Sequence, residues 1–336
     1  MSFWKNSPGP TWSDWFWSNV TCEGIPHVFP IQRTKLPLPV SDNTIRIVRE
    51  QEIPELCEFL TEHFQVTQKS VCSLNTQDVQ NGIDKGWVVV IAQDDAKKII
   101  GCLMNWPLDI CHFRKKAKYS IHYNAGFMNF FCVHPEYRKS GLGSELLHYM
   151  IALLSQKGKF IHFFQKELSP LWMLPYVSHG RYIAREIQPS FPANDMIEEV
   201  NVKEYFKDHI EFSKRFTILF QPKKITGVTT LYKYDCGTYV VYLAVAKIFH
   251  KHRNGGEIGE VLFFDYKTEN PEVVTSKNIA AGIEEILEHT PYTYIIMDES
   301  IPYQEIRGWK KDAPYYTYCY NVNPRHFGNV PIKFWF

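Results

Sequence analysis

The sequence has no Cys-x-x-Cys pair, no uncharged apolar run of about 18 residues and almost no net charge. Each absence excludes something. The eight cysteines, Cys22, Cys57, Cys72, Cys102, Cys111, Cys132, Cys236 and Cys319, are scattered, so neither a zinc knuckle nor a redox pair is predicted. A chain of 336 residues does not need a disulfide framework, and reduced thiols in a cytosol-like compartment are the simpler expectation. The start, Met1-Ser2-Phe3-Trp4-Lys5-Asn6-Ser7-Pro8, lacks the basic opening and apolar stretch of a signal peptide. With no run long enough to span a bilayer, a soluble cytoplasmic protein is expected. The sequon Asn19-Val20-Thr21 then reads as chance, because glycosylation needs secretion. Lys and Arg number 37 against 36 Asp and Glu, a formal charge of +1. That balance argues against a nucleic-acid coat or a polybasic membrane binder. The thirteen histidines show no ligand spacing on a common element, so no metal is predicted.

What is present is an apolar share of 45% with 15% aromatic residues, enough for a large core. Residues 1–40, rich in Pro and Trp, predict an extended arm. Beyond Ser41 the character changes. Ile45–Arg49 alternates like a strand, and Ile53–Leu60 has helical spacing with Pro54 in the first turn. Strands are predicted at 87–92, 98–106 and 125–133, then a helix from about Gly143 to Lys157 with Leu146, Leu147, Met150, Ile151 and Leu154 on one face. The grammar returns: strands at 238–246 and 261–266, a helix at 276–289, and strands at 292–297 and 315–320. A solvated hairpin or loop is expected at 250–256, and a polar stretch near 186–215 separates the copies. Strand, strand, strand, helix, strand thus occurs twice, which predicts an α+β fold of two halves sharing one twisted mixed sheet flanked by helices.

The run from Asn129 to Leu147 carries the chemistry. An apolar strand, Asn129-Phe130-Phe131-Cys132-Val133, leads through His134-Pro135-Glu136-Tyr137 to Arg138-Lys139-Ser140-Gly141-Leu142-Gly143 at the mouth of a helix. Glycines let the backbone turn its N–H groups inward, and the helix adds its positive N-terminal dipole, so a diphosphate fits there. The pattern resembles the acyl-CoA loop of GCN5-related N-acetyltransferases.

Asn-Phe-Phe-Cys-Val-His followed by Arg138 is more closely similar to the central signature of N-myristoyltransferases, a two-lobed branch of that superfamily. Phe3-Trp4-Lys5-Asn6-Ser7-Pro8-Gly9-Pro10 resembles the family's N-terminal arm. Asp312-Ala313-Pro314 followed by Tyr315-Tyr316-Thr317-Tyr318-Cys319-Tyr320-Asn321 resembles its late acidic turn and Tyr-rich final strands.

The resemblance implies two fused lobes, an acyl-CoA-binding one over 1–190 and a shortened peptide-binding one over 191–336. It implies transfer of a myristoyl group from myristoyl-CoA to the N-terminal glycine of protein substrates by a monomeric enzyme. The backbone amides of Phe130 and Phe131 would stabilise the oxyanion, and the α-carboxylate of Phe336, in an unusually apolar ending, would take the proton. His134 is a rival base that more simply caps or packs locally. Ser2, Phe3 and Trp4 would lie against the nucleotide. Cys132 and Val133 would run along the pantetheine, with Arg138, Lys139, Ser140, Gly141, Leu142, Gly143 and Ser144 at the phosphates. Cys132 as a nucleophile is disfavoured, since no His/Asp partner pattern is visible. Asp312, Tyr316 and Tyr318 would meet the peptide.

The chain also departs from the family. Gly141 and Gly143 make the loop more acetyltransferase-like, Gln65–Ser70 stands where an acidic loop is expected, and the stretch from Arg185 to Tyr234 is short. Two alternatives therefore stand beside myristoyl transfer: a GCN5-related enzyme using a short acyl-CoA, and a non-catalytic binder of acyl groups or peptides.

Overall fold

Strand-forming runs such as Val88-Val89-Val90-Ile91, too β-branched for a helix to be their best state, build most of the molecule. A computed structural model describes residues 35–41, 43–64, 70–113, 120–167, 178–188, 195–201, 205, 218–221, 229–269, 275–299 and 308–320. The first half runs β1 (Thr44–Ile47), α1 (Ile53–His63), β2 (Ser70–Cys72), α2 (Thr76–Asp84), β3 (Val88–Gln93), β4 (Ile99–Phe113), β5 (Ser120–Val133), α3 (Leu142–Gln156), β6 (Ile161–Glu167) and β7 (Ser178–Glu186). The second runs β8 (Ile197–Glu199), β9 (Ile218–Gln221), β10 (Thr229–Asp235), β11 (Tyr239–His252), β12 (Glu257–Thr268), α4 (Ser276–His289), β13 (Tyr294–Asp298) and β14 (Lys310–Tyr320).

The fourteen strands among the described residues join one mixed sheet, ordered β1-β3-β4-β5-β6-β14-β7-β13-β12-β11-β10-β8, with β2 beside β11 and β9 beside β4. The order is nearly a palindrome of the repeat: β3, β4, β5, α3 and β6 correspond to β10, β11, β12, α4 and β13. At the centre the copies exchange strands. The last strand, β14, pairs with β6 of the first copy, and β7 pairs with β13 of the second. A boundary drawn near residue 190 thus separates the copies in sequence while the sheet interlocks them.

Helices cover both faces. On one, α1 and α2 bury Leu56, Phe59, Leu60 and Val79 against residues of both copies, Trp106 and Phe130 as well as Phe249 and Leu262. On the other, the predicted stripe of α3 (Leu146, Leu147, Met150, Ile151, Leu154) packs on Val88, Val90, Leu103 and Met128. Ile283, Ile286 and Leu287 of α4 pack on Val241, Leu243 and Ile295. Residues 35–41 follow α3: Leu36 N–H donates to Ser155 Oγ at 2.9 Å, Gln156 Nε2 donates to Leu36 O, and the Ser41 hydroxyl donates to Glu145.

The structure corrects several expectations. Helix α2 went unread, although Asn75 caps it by accepting the Asp78 N–H at 2.9 Å. Strands β2, β6, β7, β8, β9 and β10 have no counterpart among the expected runs. His250 is not in a solvated loop but inside β11, with only 9% of its surface exposed. Asp312 lies not in a turn but within β14, at a register break against β7 between Lys311 and Pro314. No helix among the described residues is long and apolar enough to cross a membrane.

Candidate active site

The predicted signature strand is the place where the sheet opens. β5 runs parallel to β6 only from Ala125 to Phe127, opposite Ile161 to Phe163. Beyond Phe127 the ladder has no further pairs among the described residues, so the edge of β5 from Met128 to Val133 faces the parting. On its other side β5 stays paired with β4, but with a bulge: Cys102 opposes Cys132 and Met104 opposes Asn129, so Leu103 alone faces Phe130 and Phe131.

Phe130 takes φ +48°, a left-handed conformation uncommon for a bulky residue. Its ring is buried at 2% exposure, whereas Phe131 is 41% exposed. A bulge re-aims backbone groups, as the expected oxyanion role requires. The Phe130 N–H donates to Asn129 Oδ1 at 2.9 Å, so that carboxamide sits where an incoming oxygen would be received. Cys102 Sγ approaches the Phe130 carbonyl at 3.3 Å.

Six residues past the strand lies the predicted anion loop. Pro135–Tyr137 forms a single 3-10 turn, and Lys139 (φ +70°) and Gly141 (φ +102°) are both left-handed. Gly141 is the N-cap of α3 and offers no side-chain cap; a Cβ there would meet no atom within 4 Å, so open space surrounds it. The Ser144 N–H returns to Gly141 O at 2.8 Å, while the Leu142 N–H reaches Ser140 Oγ only at 3.4 Å. Such a helix start, with first-turn amides ahead of any helical acceptor, suits an anion. Arg138 folds back, its Nε donating to Val133 O at 3.0 Å. Leu142 is buried in the core under α3, so only its backbone is available to a ligand.

Aromatic rings and thiols back the bulge. The Phe130 ring meets Phe64 at 5.3 Å, His250 at 6.4 Å and Trp106 at 6.0 Å between centroids. Burial pushes His250 down to about 4, against a hydrogen bond to the Val71 backbone that raises it; the ring is neutral at physiological pH. Burial also pushes the Cys132 thiol up to about 12, so it is not a thiolate nucleophile at neutral pH. His63 and His134 meet edge to face at 4.5 Å beside the loop.

The structure therefore brings Phe130, Phe131, Cys132, Val133 and residues 138–144 together along one edge. Ser2, Phe3, Trp4 and Phe336 lie outside the described residues. Asp312 is exposed, its carbonyl accepting from Arg181 Nη1 at 3.1 Å. Tyr316 is half-buried, and Tyr318 is a core residue at 1% exposure, stacked on Phe164 at 5.0 Å. Sequence reasoning missed Cys102, His250 and Asn105. The last is fully buried next to Gly126, where β5 and β6 still pair, with no hydrogen-bond partner for its amide among the described residues. A polar residue inside the apolar run 99–108 was the available signal for Asn105.

Residues 53–167, from the start of α1 to the end of β6, match the model of the acetyltransferase (GNAT) family. No curated protein sequence matches the chain. Among solved structures, N-myristoyltransferase of Saccharomyces cerevisiae with bound myristoyl-CoA is similar over 96% of this chain and 92% of that one, with a TM-score of 0.64 at 11% identity. A structure of the yeast protein with myristoyl-CoA and inhibitors is similar over 99% and 91%, with a TM-score of 0.68 at 12% identity. At such identities the likeness is one of fold, and the fold is the two-lobed, acetyltransferase-like one that the motifs predict.

Proposed function

We propose that the chain transfers a myristoyl group from its CoA thioester to the N-terminal glycine of peptides. One observation carries this reading: the left-handed bulge at Phe130 faces the parting of β5 from β6, directly upstream of an uncapped helix start. A thioester donor needs those features in that order along its length, amides for its carbonyl, a strand edge for its pantetheine and an anion site for its diphosphate.

The amides of Phe130 and Phe131 would polarise the carbonyl, Asn129 giving up its hold on the first. The open edge of β5 at Cys132 and Val133 would pair with the pantetheine, and the backbone of Lys139–Ser144 would hold the phosphates. The amine nitrogen then forms its bond to the carbonyl carbon, the C–S bond breaks, and the sulfur leaves as the CoA thiolate, which takes up the proton that the nitrogen sheds as it becomes an amide. The ammonium proton must be lost first. The α-carboxylate of Phe336 is the base that the resemblance supplies, and desolvation would raise it toward that task.

Turnover of myristoyl-CoA with a glycine-starting peptide, and none with the same peptide N-acetylated, is the expected result. Calorimetry should show myristoyl-CoA binding at least tenfold tighter than acetyl-CoA, because each buried methylene contributes roughly 0.8 kcal/mol. Equal affinity with acetyl transfer would favour the short-chain reading, which the family match over 53–167 and the Gly141/Gly143 loop support. Tight binding without turnover would favour a silent binder.

A further inference from the structure

The bulge poses a geometric question. Phe130 is neither glycine nor asparagine, yet holds φ +48°, so surrounding contacts must keep it there. The contact made by its carbonyl is with Cys102 Sγ, at 3.3 Å. Cys102 is fully buried on β4 and opposes Cys132, at the last ladder pair before the bulge.

The Phe130 carbonyl and the Phe131 N–H belong to one peptide plane. No cis bond occurs among the described residues, so in that rigid unit the two groups point in opposite directions. Fixing the carbonyl on the Cys102 thiol of β4 therefore turns the Phe131 N–H the opposite way, away from that thiol. The Phe130 N–H is meanwhile held by Asn129. Of the two expected oxyanion donors, the second is aimed from behind, through the carbonyl of its own peptide unit.

We propose that Cys102 is a positioning residue of the acyl-transfer site: its S–H donates to the Phe130 carbonyl and thereby points the Phe131 N–H at the reacting thioester oxygen. This rests on the acyl-transfer reading above. Burial holds the Cys102 thiol well above its ordinary value, so the sulfur keeps its proton and remains a donor at any working pH. The thiol touches no reacting atom and performs no redox step.

The test compares Cys102→Val, close in volume but without a donor, with Cys102→Ser, which keeps one. Four quantities are measured: kcat and KM for a glycine peptide, the calorimetric Kd of myristoyl-CoA, and the Phe131 amide signal in 15N-Phe-labelled protein, assigned by its loss in Phe131→Leu. The valine variant should lose about 10- to 100-fold in kcat, the range expected when a preorganised donor is misaimed. Its acyl-CoA Kd should stay within about twofold, since an oxyanion donor acts chiefly in the transition state. The serine variant should recover most of kcat and retain the wild-type amide shift, which valine moves. Should valine prevent folding, Cys102→Ala replaces it. Cys57→Ala serves as the cavity control, since Cys57 is a buried thiol in the same core, carried by α1 rather than by β4.

A donor-free variant with wild-type kcat and an unmoved Phe131 amide would overturn the proposal. So would equal impairment of serine and valine, which points to packing alone. If the wild type itself turns nothing over, the acyl-transfer reading fails, while the amide comparison still decides whether Cys102 aims that N–H.

Discussion

The two copies place a helix at the same point of the repeat, and they finish its first turn differently. In the second copy α4 is sealed: Thr275 Oγ1 accepts the Asn278 N–H at 3.4 Å, and Asn278 Oδ1 accepts the Thr275 N–H at 3.0 Å. In the first copy α3 begins at Gly141, with no side chain to cap it. The preceding hairpins differ in the same sense. Both carry a one-residue bulge, at Phe130 in β5 and at Leu262 in β12. Of these two bulged residues only Phe130 is left-handed, while Leu262 is absorbed in the core. The left-handed strand residue of the second copy, Phe249 at φ +54°, lies instead in β11, at a separate register break between Lys247 and Lys251. One framework has thus been closed with its own polar groups in one copy and left without a side-chain cap in the other.

The largest expected effect lies where the copies touch. His250 of β11 stacks over Phe130 of β5 and over Phe64. Its folded-state value of about 4 lies below the ordinary value near 6.5, so the unfolded chain takes up the proton first. Its stabilising contribution is therefore complete above about pH 6.5 and is lost as pH falls toward 4, by an amount on the order of 3 kcal/mol. His162, pushed by burial to about 3, adds to the same slope. Thermal melts from pH 7.5 to 4.5 should show His250→Phe, which keeps the stacking, losing less stability than the wild type across that range. Parallel curves would sink the claim that this ring is buried neutral between the copies.

The second effect bears on the open helix. Gly141→Val introduces a β-branched residue at φ +102°; nothing crowds the site, so backbone strain is what costs. The loop must shift to relieve it, and acyl-CoA affinity should fall at least tenfold by calorimetry. Gly158, also left-handed and uncrowded, lies just past the other end of α3. Gly158→Val should cost comparable stability and leave that affinity unchanged. Matching losses of affinity in both variants would mean that strain anywhere in α3 suffices, and that the loop amides hold no diphosphate.

Much of this architecture was legible. Helix α4 spans the residues its periodicity marks, and α3 begins one residue from its predicted start, because dense apolar stripes signal helices well. The turn into α3 was readable because its left-handed N-cap favours the glycine that stands there, Gly141 at φ +102°. Helix α2 was not, since Val79 and Gly82 are its only buried residues and so sparse a stripe has no visible period. The exchange of β14 and β7 was hidden for another reason. Tyr315 pairs with Glu167 and Gly180, more than 130 residues away, and local patterns do not name partners. Nothing in Phe130 announces a left-handed residue, and the contact of Cys102 with its carbonyl exists only once the register of β4 on β5 is set.

The smallest effect is the sharpest check on the contrast between sealed and open helices. Thr275→Ala removes the hydroxyl that accepts the Asn278 N–H and should cost about 1 kcal/mol of stability, the usual price of a lost N-cap. Yet the same change also uncovers first-turn amides at the point of the second copy that corresponds to Gly141. If an uncapped start were all that an acyl-CoA site required, the variant would gain a second, weak binding event. None is expected, because β12 lacks the left-handed bulge that would present a carbonyl to its amides. Calorimetry of Thr275→Ala with myristoyl-CoA should therefore give the wild-type stoichiometry and affinity on a slightly less stable protein. A second site would show that helix capping alone, and not the bulge together with the loop, decides where the proposed acyl-CoA site can form.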